Sequence, residues 1–351
     1  MNYVSRKLEG ITVFNPMPPR RFDLVHAFNR IPLGTTPFII GFEDYLPRAF
    51  GLEHTSYYRW LRNMLASGRC RKIIAISDHA RTVFKSLHDS SPQAQELCEK
   101  LSLLYPNVDI PEVPDALAEH DHSEFVVTFV GNDFGRKGGC VAVKLAEMAL
   151  AKGFPLKVEI VSSLNMGGAV WTDPVSSEFF DRYRALLDLP NVTVHGRLGN
   201  AEVKSLLARS HFSVLTTLGD TFGFSAIESM AYWTPVIATR QGALPEFIRH
   251  LDNGLLIDLE TSAIGQWVHQ SSPERASKRF EKIFEDEMQR IANETFALLV
   301  ELAGQPQKIR EMRRRARQTC IEMFDSERAS RSWDALYEDV VGHSQASLVS
   351  S

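Results

Sequence analysis

The chain has 351 residues, of which 44% are hydrophobic and 23% charged, and its net charge of −4 argues against a nucleic-acid-binding surface. We expect no transmembrane helix, because no run of about 18 apolar residues is present, and no secretory signal at the N-terminus. The length suits two domains of about 150 residues each. The four cysteines lack metal-binding spacing and favour a cytoplasmic protein with reduced thiols; they are Cys70, Cys98, Cys140 and Cys320.

The first third of the chain alternates short apolar runs with helical patterns. We predict strands at Ile11–Phe14, Leu24–Phe28, Phe38–Phe42, Ile73–Ile76 and Leu101–Tyr105, and helices at Tyr57–Leu65 and from Ser77 to about Leu87. The proline-bearing, acidic segment from Val108 to His122 is predicted to be an interdomain linker. An N-terminal α/β domain therefore ends before that linker.

A second α/β domain begins at about Phe125. Its predicted strands are Phe125–Val130, Leu156–Val161, Val192–His195, Phe212–Thr216 and Val236–Ala238, and its predicted helices include Gly139–Lys152 and Ser225–Tyr232. This alternation implies a parallel sheet covered by helices on both faces. Three further helices are predicted at about Glu274–Ala303, Gln307–Phe324 and Ser326–Val341.

Residues 219–228 read Gly-Asp-Thr-Phe-Gly-Phe-Ser-Ala-Ile-Glu and connect a predicted strand to a predicted helix. A strand, a glycine-bearing loop and a helix N-terminus together present backbone N–H groups to an anion. Asp220 and Glu228 would repel that anion unless they bind something else, and sugar hydroxyls are the obvious partner. A structural alternative stays open, because Ser225 and Glu228 have the spacing of a capping box and Asp220 suits an Asx turn.

A basic, glycine-rich turn follows the first strand of the second domain. Arg136 and Lys137 stand just before a predicted helix N-terminus, where the helix dipole favours anions rather than cations. A bound phosphate would explain both cations, and the glycines at 131, 135, 138 and 139 permit close backbone approach to a ligand. The alternative is a solvated basic turn, whose charge penalty salt would screen.

Three segments, Phe129–Gly139, Val192–Leu198 and Asp220–Glu246, resemble the donor-binding domain of retaining glycosyltransferases of family 4. The resemblance covers roughly residues 124–340. It implies the α/β GT-B fold, with two facing Rossmann-like domains built on parallel sheets, an abbreviated N-terminal domain and a C-terminal helix that crosses back to it. The implied boundaries are 1–113 for the acceptor-side domain, 114–322 for the donor-binding domain and 323–351 for the crossover helix and tail.

The resemblance implies retaining transfer of a sugar from a nucleotide-sugar donor to a hydroxyl acceptor on a glycan, a lipid-linked molecule or a small molecule. Arg136 and Lys137 would hold the donor diphosphate, Asp220 would contact sugar hydroxyls, and Glu228 would accept hydrogen bonds from the ribose. Cations and helix dipoles would replace a metal, so neither a metal nor another cofactor is expected. The further implied donor-binding residues are Gly131, Asn132, Gly138, Gly196, Arg197, Phe222, Gly223, Phe224 and Ser225.

The chain departs from the family pattern at several positions. Asp220 is one methylene shorter than the usual glutamate, and Asn132 stands where an arginine often occurs. Trp233 replaces the glycine that usually ends the helix, at a cost of about 1 kcal/mol if the left-handed backbone is kept. Ala243 replaces the second glycine of the later turn. None of these changes removes the phosphate cations, so an active enzyme remains the preferred interpretation.

The N-terminal domain resembles the family less closely. Glu43 stands where many relatives place a histidine near the donor sugar, so we predict Glu43 as a catalytic residue and Asp44 as a further candidate, against the alternative of a surface acidic loop. Tyr57–Arg62 mixes aromatic and cationic residues and would allow peripheral contact with the inner face of a membrane. Burial of Trp60 and Leu61 beneath snorkelling arginines is the favoured interpretation.

Two other functions stay open. The abbreviated N-terminal domain and Asp220 suggest a catalytically weakened sugar-nucleotide binding protein, which would bind donor without turnover. A nicotinamide-dependent oxidoreductase is suggested only by the Rossmann-like pattern, and residues 131–135 do not meet its glycine fingerprint. We expect a solvated helix face for the arginine run Arg310, Arg313, Arg314, Arg315 and Arg317, and packing or capping roles for His26, His195 and His211.

Overall fold

The structure is a computed structural model that describes residues 6–13, 22–112 and 124–349. The chain divides into two compact units, one formed by Met1–Asn107 with Ser326–Ser351 and the other by Val108–Asp325. Phe14 of the first predicted strand, the 113/114 boundary and most of the predicted linker lie outside the described residues.

The first unit is built on parallel sheets. Its helices are α1 (Arg6–Glu9), α2 (Ser56–Ala66), α3 (Asp78–His88) and α4 (Ala94–Lys100), and its strands are β1 (Ile11–Val13), β2 (Val25–Phe28), β3 (Ile31–Leu33), β4 (Phe38–Phe42), β5 (Cys70–Ala75) and β6 (Leu101–Leu103). A four-stranded sheet has the order β2-β4-β5-β6, and β1 pairs with β3 in a second sheet. Every residue of β4 is buried, because elements cover this central strand on both faces.

The elements predicted for the first third are found close to their predicted bounds. Ser77 caps α3 as expected, since its side chain accepts a hydrogen bond from the Ala80 N–H at 2.9 Å. The prediction that Trp60 is buried is wrong: Leu61 is fully buried, but Trp60 is 45% exposed. The sequence signals missed β3 and α4, which are three and seven residues long.

The second unit is built on a six-stranded, doubly wound parallel sheet, and helices connect its successive strands. Its strands are β7 (Phe125–Val130), β8 (Leu156–Val161), β9 (Val192–Gly196), β10 (Phe212–Leu215), β11 (Val236–Thr239) and β12 (Gly254–Ile257). Its α-helices are α5 (Phe134–Lys137), α6 (Gly139–Lys152), α7 (Asp181–Ala185), α8 (Asn200–Ala208), α9 (Phe224–Ala231), α10 (Leu244–Phe247), α11 (Lys278–Ala303) and α12 (Pro306–Phe324), and 3-10 turns lie at Glu178–Phe180 and Leu186–Asp188. The parallel sheet confirms the predicted α/β alternation.

The strand order β12-β11-β10-β7-β8-β9 contains one reversal, between β7 and β10. After β7, the chain adds β8 and β9 on one side of this point, and after β10 it adds β11 and β12 on the other side. Crevices at the carboxyl ends of the strands flanking such a reversal are the usual ligand sites of doubly wound sheets. The two loops that begin there, after Val130 and after Leu215, carry the two strongest motifs of the sequence.

The last helix, α13 (Ser326–Val349), belongs to the first unit, in agreement with the predicted C-terminal return. Trp333, Leu336 and Tyr337 pack against buried Ile39 and Ile74 of the first sheet. His26 has the predicted packing role, with its Nδ1 atom 2.7 Å from the Tyr337 hydroxyl. No described helix has the length and apolar character that a bilayer crossing requires.

The arginine run on α12 is only partly solvated, so that prediction is wrong for two of its members. Arg313 is fully buried and donates hydrogen bonds to the carbonyls of Ala208 and Ser210. Arg317 donates to the Ala231 carbonyl and lies 5.2 Å from the ring of Trp233, which has the expected left-handed backbone with φ of 64°. These arginines satisfy carbonyls at the ends of helices beside β10, where carbonyls lack intrahelical partners.

Candidate active site

The loops after β7 and β10 touch at the strand reversal. Gly138 has φ of +99°, and a Cβ atom at this position would lie 2.2 Å from Thr216 Oγ1 and 2.9 Å from the Thr216 backbone nitrogen. The Leu218 N–H also donates to the Arg136 carbonyl at 2.8 Å. Only glycine fits this backbone at so close an approach. The two sequence motifs therefore form one continuous surface at the carboxyl edge of the sheet.

Arg136 is tied into that surface. Its Nε and Nη2 atoms donate to Asp133 Oδ2 at 3.1 and 2.7 Å, and its Nη1 atom donates to the Gly219 carbonyl at 2.5 Å. The side chain is only 14% exposed. This arginine thus joins the two loops and neutralises Asp133, while its predicted contact with a diphosphate stays a prediction.

Lys137 is the cation that lies beside the acidic motif. Its Nζ atom is 3.2 Å from Asp220 Oδ2, although the two residues are 83 positions apart in the sequence. Its aliphatic stem packs over Gly131, where a Cβ atom would come within 3.0 Å of Lys137 Cδ. Asp220 Oδ2 is buried, and apart from this ion pair it accepts no hydrogen bond from the described residues. An ammonium has three donors, so Lys137 can serve this carboxylate and an anion together.

Helix α9 begins at Phe224, and its N-cap is Gly223 in the left-handed conformation with φ of 90°. No side chain caps this helix. The capping-box alternative for Ser225 and Glu228 is wrong, because Ser225 already lies inside the first turn. The helix N-terminus therefore presents N–H groups to an anion without competition from a capping side chain.

Glu228 is half-buried in the second turn of α9. Burial raises the pKa of its carboxyl group above the ordinary value of 4.5, and the charges of Lys204 and Lys137 oppose that rise. Lys137 thus acts electrostatically on Glu228 as well as on Asp220. The fold therefore brings three charged residues of the predicted site, Lys137, Asp220 and Glu228, together at the strand reversal.

A polar chain links the ends of β7, β8 and β9. Ser163 donates to Asn132 Oδ1 at 2.8 Å and accepts from Arg197 Nε at 2.9 Å. Arg197 is exposed and follows Gly196, the last residue of β9. Sequence reasoning identified Asn132 and Arg197 but missed Ser163, because a lone serine after a strand carries no distinguishing spacing.

The two phenylalanines of the acidic motif have different environments. Phe222 is fully buried, with its ring centroid 5.6 Å from that of Phe247 and 5.9 Å from that of Phe324, so only its backbone could meet a ligand. Phe224 is exposed at the start of α9. Exposed Trp171, which sequence reasoning also missed, lies on the loop after β8 and contacts Gly219.

Glu43 lies in the first unit, after β4. Its Oε1 atom accepts hydrogen bonds from Asn29 Nδ2 at 3.1 Å and Arg48 Nη1 at 3.0 Å. Burial and the neighbouring Glu43 raise the pKa of Asp44 to about 7, and burial lowers the pKa of His79, 4.0 Å from Asp44, to about 4. Both acids are partly buried, and the catalytic role of Glu43 and the alternative of a surface acidic loop both stay predictions.

The described histidines and cysteines form no metal cluster. No group of three or more His, Cys, Asp or Glu side chains within residues 6–13, 22–112 and 124–349 is arranged to hold a metal. His211 accepts a hydrogen bond from the Val126 N–H at 3.0 Å, and His195 lies 2.5 Å from Glu159, in agreement with structural roles. The free cysteines are Cys70, Cys140 and Cys320, which are buried, and Cys98, which is exposed.

Cations, carboxylates and a glycine-capped helix lie together at the reversal of a parallel sheet, which is where doubly wound α/β proteins usually bind their ligands. More particularly, residues 124–269 match the family model described as glycosyl transferases group 1. The chain is 27% identical over 140 residues to N-acetyl-alpha-D-glucosaminyl L-malate synthase of Bacillus anthracis, a stretch that covers 40% of this chain and 29% of that protein.

Solved glycosyltransferase structures share the fold across most of the chain. Sucrose-phosphate synthase from Thermosynechococcus elongatus matches with a TM-score of 0.60 and 17% identity over 92% of this chain and 74% of that one. HepE of Anabaena, in complex with UDP, matches with a TM-score of 0.58 and 17% identity over 87% and 72%. These similarities confirm the predicted GT-B fold.

Proposed function

We propose that the protein is a retaining glycosyltransferase that moves a sugar from a nucleotide-sugar donor to a hydroxyl acceptor. The observation that carries this proposal is the convergence of Lys137, Asp220, Glu228 and the α9 N-terminus at the strand reversal. Such an arrangement suits a ligand that carries both an anionic group and hydroxyl groups. The ammonium and the helix amides bind the diphosphate, while the carboxylates accept hydrogen bonds from the hydroxyls. A simple anion would gain nothing from the two acids.

In the proposed reaction, the bond between the sugar C1 atom and the diphosphate oxygen breaks as the acceptor oxygen attacks C1 from the same face. The proton of the acceptor hydroxyl passes to the departing phosphate oxygen. Lys137 and the α9 amides stabilise the charge that develops on that phosphate, so no metal is needed in this scheme. Retention is proposed because the acidic pair Asp220 and Glu228 resembles that of a retaining family, and Glu43 stays a proposed catalytic residue.

The test is a panel of UDP-, GDP- and ADP-sugars assayed for saturable binding and for release of the nucleoside diphosphate. UDP-sugars come first, because the similar HepE structure contains UDP. We expect one base to bind and its diphosphate to be released. Binding without release under all acceptor conditions would favour the sugar-nucleotide binding protein. If no nucleotide sugar binds, the proposal fails. A nicotinamide-dependent absorbance change would then favour an oxidoreductase.

Donor binding is expected to weaken on acidification through the pKa of Glu228. Burial raises this pKa, so the carboxylate gains its proton above pH 4.5, and the neutral acid is a poorer acceptor for ribose hydroxyls. Glu228→Gln mimics the neutral form and should cost about tenfold to a hundredfold in affinity at pH 8, with a flatter pH profile. Calorimetry between pH 5 and 8 measures this, and an unchanged affinity at pH 8 would contradict the ribose role.

We also propose a cytoplasmic enzyme that contacts the inner face of a membrane through α2. Trp60 is exposed beside exposed Arg59, and the rings of Tyr57 and Trp60 lie 5.8 Å apart. An aromatic ring next to a cation suits the headgroup region of an anionic bilayer. Trp60→Ala should reduce co-sedimentation with anionic vesicles by about threefold or more, whereas Val300→Ala, an exposed apolar control, should not. Equal sedimentation of both variants would exclude α2.

A further inference from the structure

Trp171 displays an aromatic ring at the carboxyl edge of the second unit's sheet, and no role described so far uses it. It lies on the loop after β8 and is 43% exposed, whereas Val170, Thr172 and Asp173 around it are buried. A single exposed apolar side chain is ordinary on a protein surface, but ligand crevices are lined mainly by apolar and aromatic side chains with a few polar groups. An exposed aromatic ring beside the charged residues of the proposed site is therefore a candidate part of the crevice lining.

The loop that carries Trp171 is held firmly. Asp173 Oδ2 accepts a hydrogen bond from the Gly167 N–H at 3.2 Å, and Arg275 Nε donates to the Asp173 carbonyl at 2.6 Å. Arg275 also donates to the Val170 carbonyl, and its own carbonyl accepts from the Val175 N–H at 3.0 Å. Because these hydrogen bonds already order the loop, binding of a ligand to the ring costs little conformational entropy.

The ring is fixed against the acidic motif. A Cβ atom on Gly219 would lie 2.6 Å from Trp171 Cη2, so the ring touches the backbone of the residue that precedes Asp220. The Trp171 ring also lies near Arg136, whose guanidinium carbon is 5.8 Å from the ring centroid. Arg136 in turn donates a hydrogen bond to the Gly219 carbonyl. Trp171 therefore stands at the Asp220 end of the site.

We infer that Trp171 is a specificity-determining residue that offers its exposed face to the apolar C–H face of a neutral pyranose on the donor. A sugar ring presents hydroxyls at its rim and C–H groups on its faces, and an aromatic ring beside a carboxylate matches both. Arg136 is neutralised by Asp133, which favours a neutral sugar over an anionic one. This inference rests on the proposed function and adds the class of sugar.

A nucleobase would also stack on an aromatic ring, but the position of Trp171 favours the sugar. Glu228, the proposed ribose contact, lies in the second turn of α9, whereas Trp171 contacts the loop residue next to Asp220, the proposed sugar contact. The base lies beyond the ribose from the diphosphate, while the sugar lies on the opposite side. A ring next to the sugar acid is therefore placed for the sugar.

The test compares dissociation constants of each nucleoside diphosphate and its nucleotide sugar for the pairs UDP and UDP-glucose, GDP and GDP-mannose, and ADP and ADP-glucose. For the pair that wild type binds, Trp171→Ala should bind the diphosphate within about twofold of wild type and the nucleotide sugar about tenfold more weakly. Trp171→Phe should recover most of the loss, since it keeps a ring. Leu150→Ala, which removes an equally exposed apolar side chain from α6 of the second unit, should change neither constant.

Three outcomes would overturn the inference. Equal losses for the diphosphate and the nucleotide sugar would assign the ring to the base, and unchanged constants for both would leave it without a binding role. A loss that Trp171→Phe does not recover would assign the effect to loop structure rather than to stacking. If wild type binds no nucleotide sugar at all, the proposed function fails first, which distinguishes that failure from a failure of this inference.

Discussion

Replacing Lys137 by alanine is expected to lower kcat/KM for the nucleotide-sugar donor by about a hundredfold to a thousandfold. Lys137 is the cation whose Nζ atom faces the acidic motif, 3.2 Å from Asp220, while the donors of Arg136 are engaged with Asp133 and Gly219. In the proposed reaction, charge on the departing diphosphate grows as the sugar bond breaks. Removing its nearest side-chain cation therefore costs more in the transition state than in the ground state.

The matched control for this prediction is Lys152→Ala, because Lys152 is an exposed lysine at the other end of α6. It should leave kcat/KM within about twofold of wild type, since long-range charge effects are screened by salt. Asp220→Asn separates two roles of the pair: it frees Lys137, so diphosphate binding should hold or improve while turnover falls. Wild-type turnover in Lys137→Ala, measured by diphosphate release, would remove Lys137 from the mechanism.

The parts of the site that sequence predicted are those whose spacing fixes a local backbone. Glycine-rich turns between a strand and a helix identified the segments around Gly138 and Gly223, and both glycines have positive φ. The capping-box interpretation of Ser225 was wrong for a reason within the same motif. A glycine two residues earlier already adopts the left-handed cap, so the helix begins before the serine.

The parts that sequence could not predict depend on what packs opposite each side chain. Arg313 and Arg314 are neighbours on one helix, yet Arg313 is fully buried beneath helix carbonyls while Arg314 is exposed. Trp60 and Leu61 are likewise adjacent and differ in the same way. A run of arginines or aromatics sets the composition of a helix, but tertiary contacts decide which face is covered. Trp171 was missed because its role depends on Gly219, a distant residue in the sequence.

Gly138→Ala is expected to destabilise the second unit by about 3 kcal/mol and to weaken donor binding. Two costs add at this position. An L-residue in the left-handed region costs about 1 kcal/mol, and the new methyl group would overlap the backbone N and O of Thr216, each 2.9 Å away, at an overpacking cost of about 1–3 kcal/mol. Backbone cannot rotate aside as a flexible side chain can, so the loops after β7 and β10 must separate.

Gly153→Ala provides the matched control, because Gly153 also has a left-handed backbone, with φ of +63°, but a Cβ atom there meets nothing within 4 Å. This variant should cost only the conformational term of about 1 kcal/mol and leave donor affinity unchanged. Denaturant unfolding and calorimetry with the nucleoside diphosphate measure both effects. If the two variants lose equal stability, contact with Thr216 contributes nothing. If Gly138→Ala loses stability but keeps donor affinity, the junction of the two loops supports the fold without shaping the phosphate site.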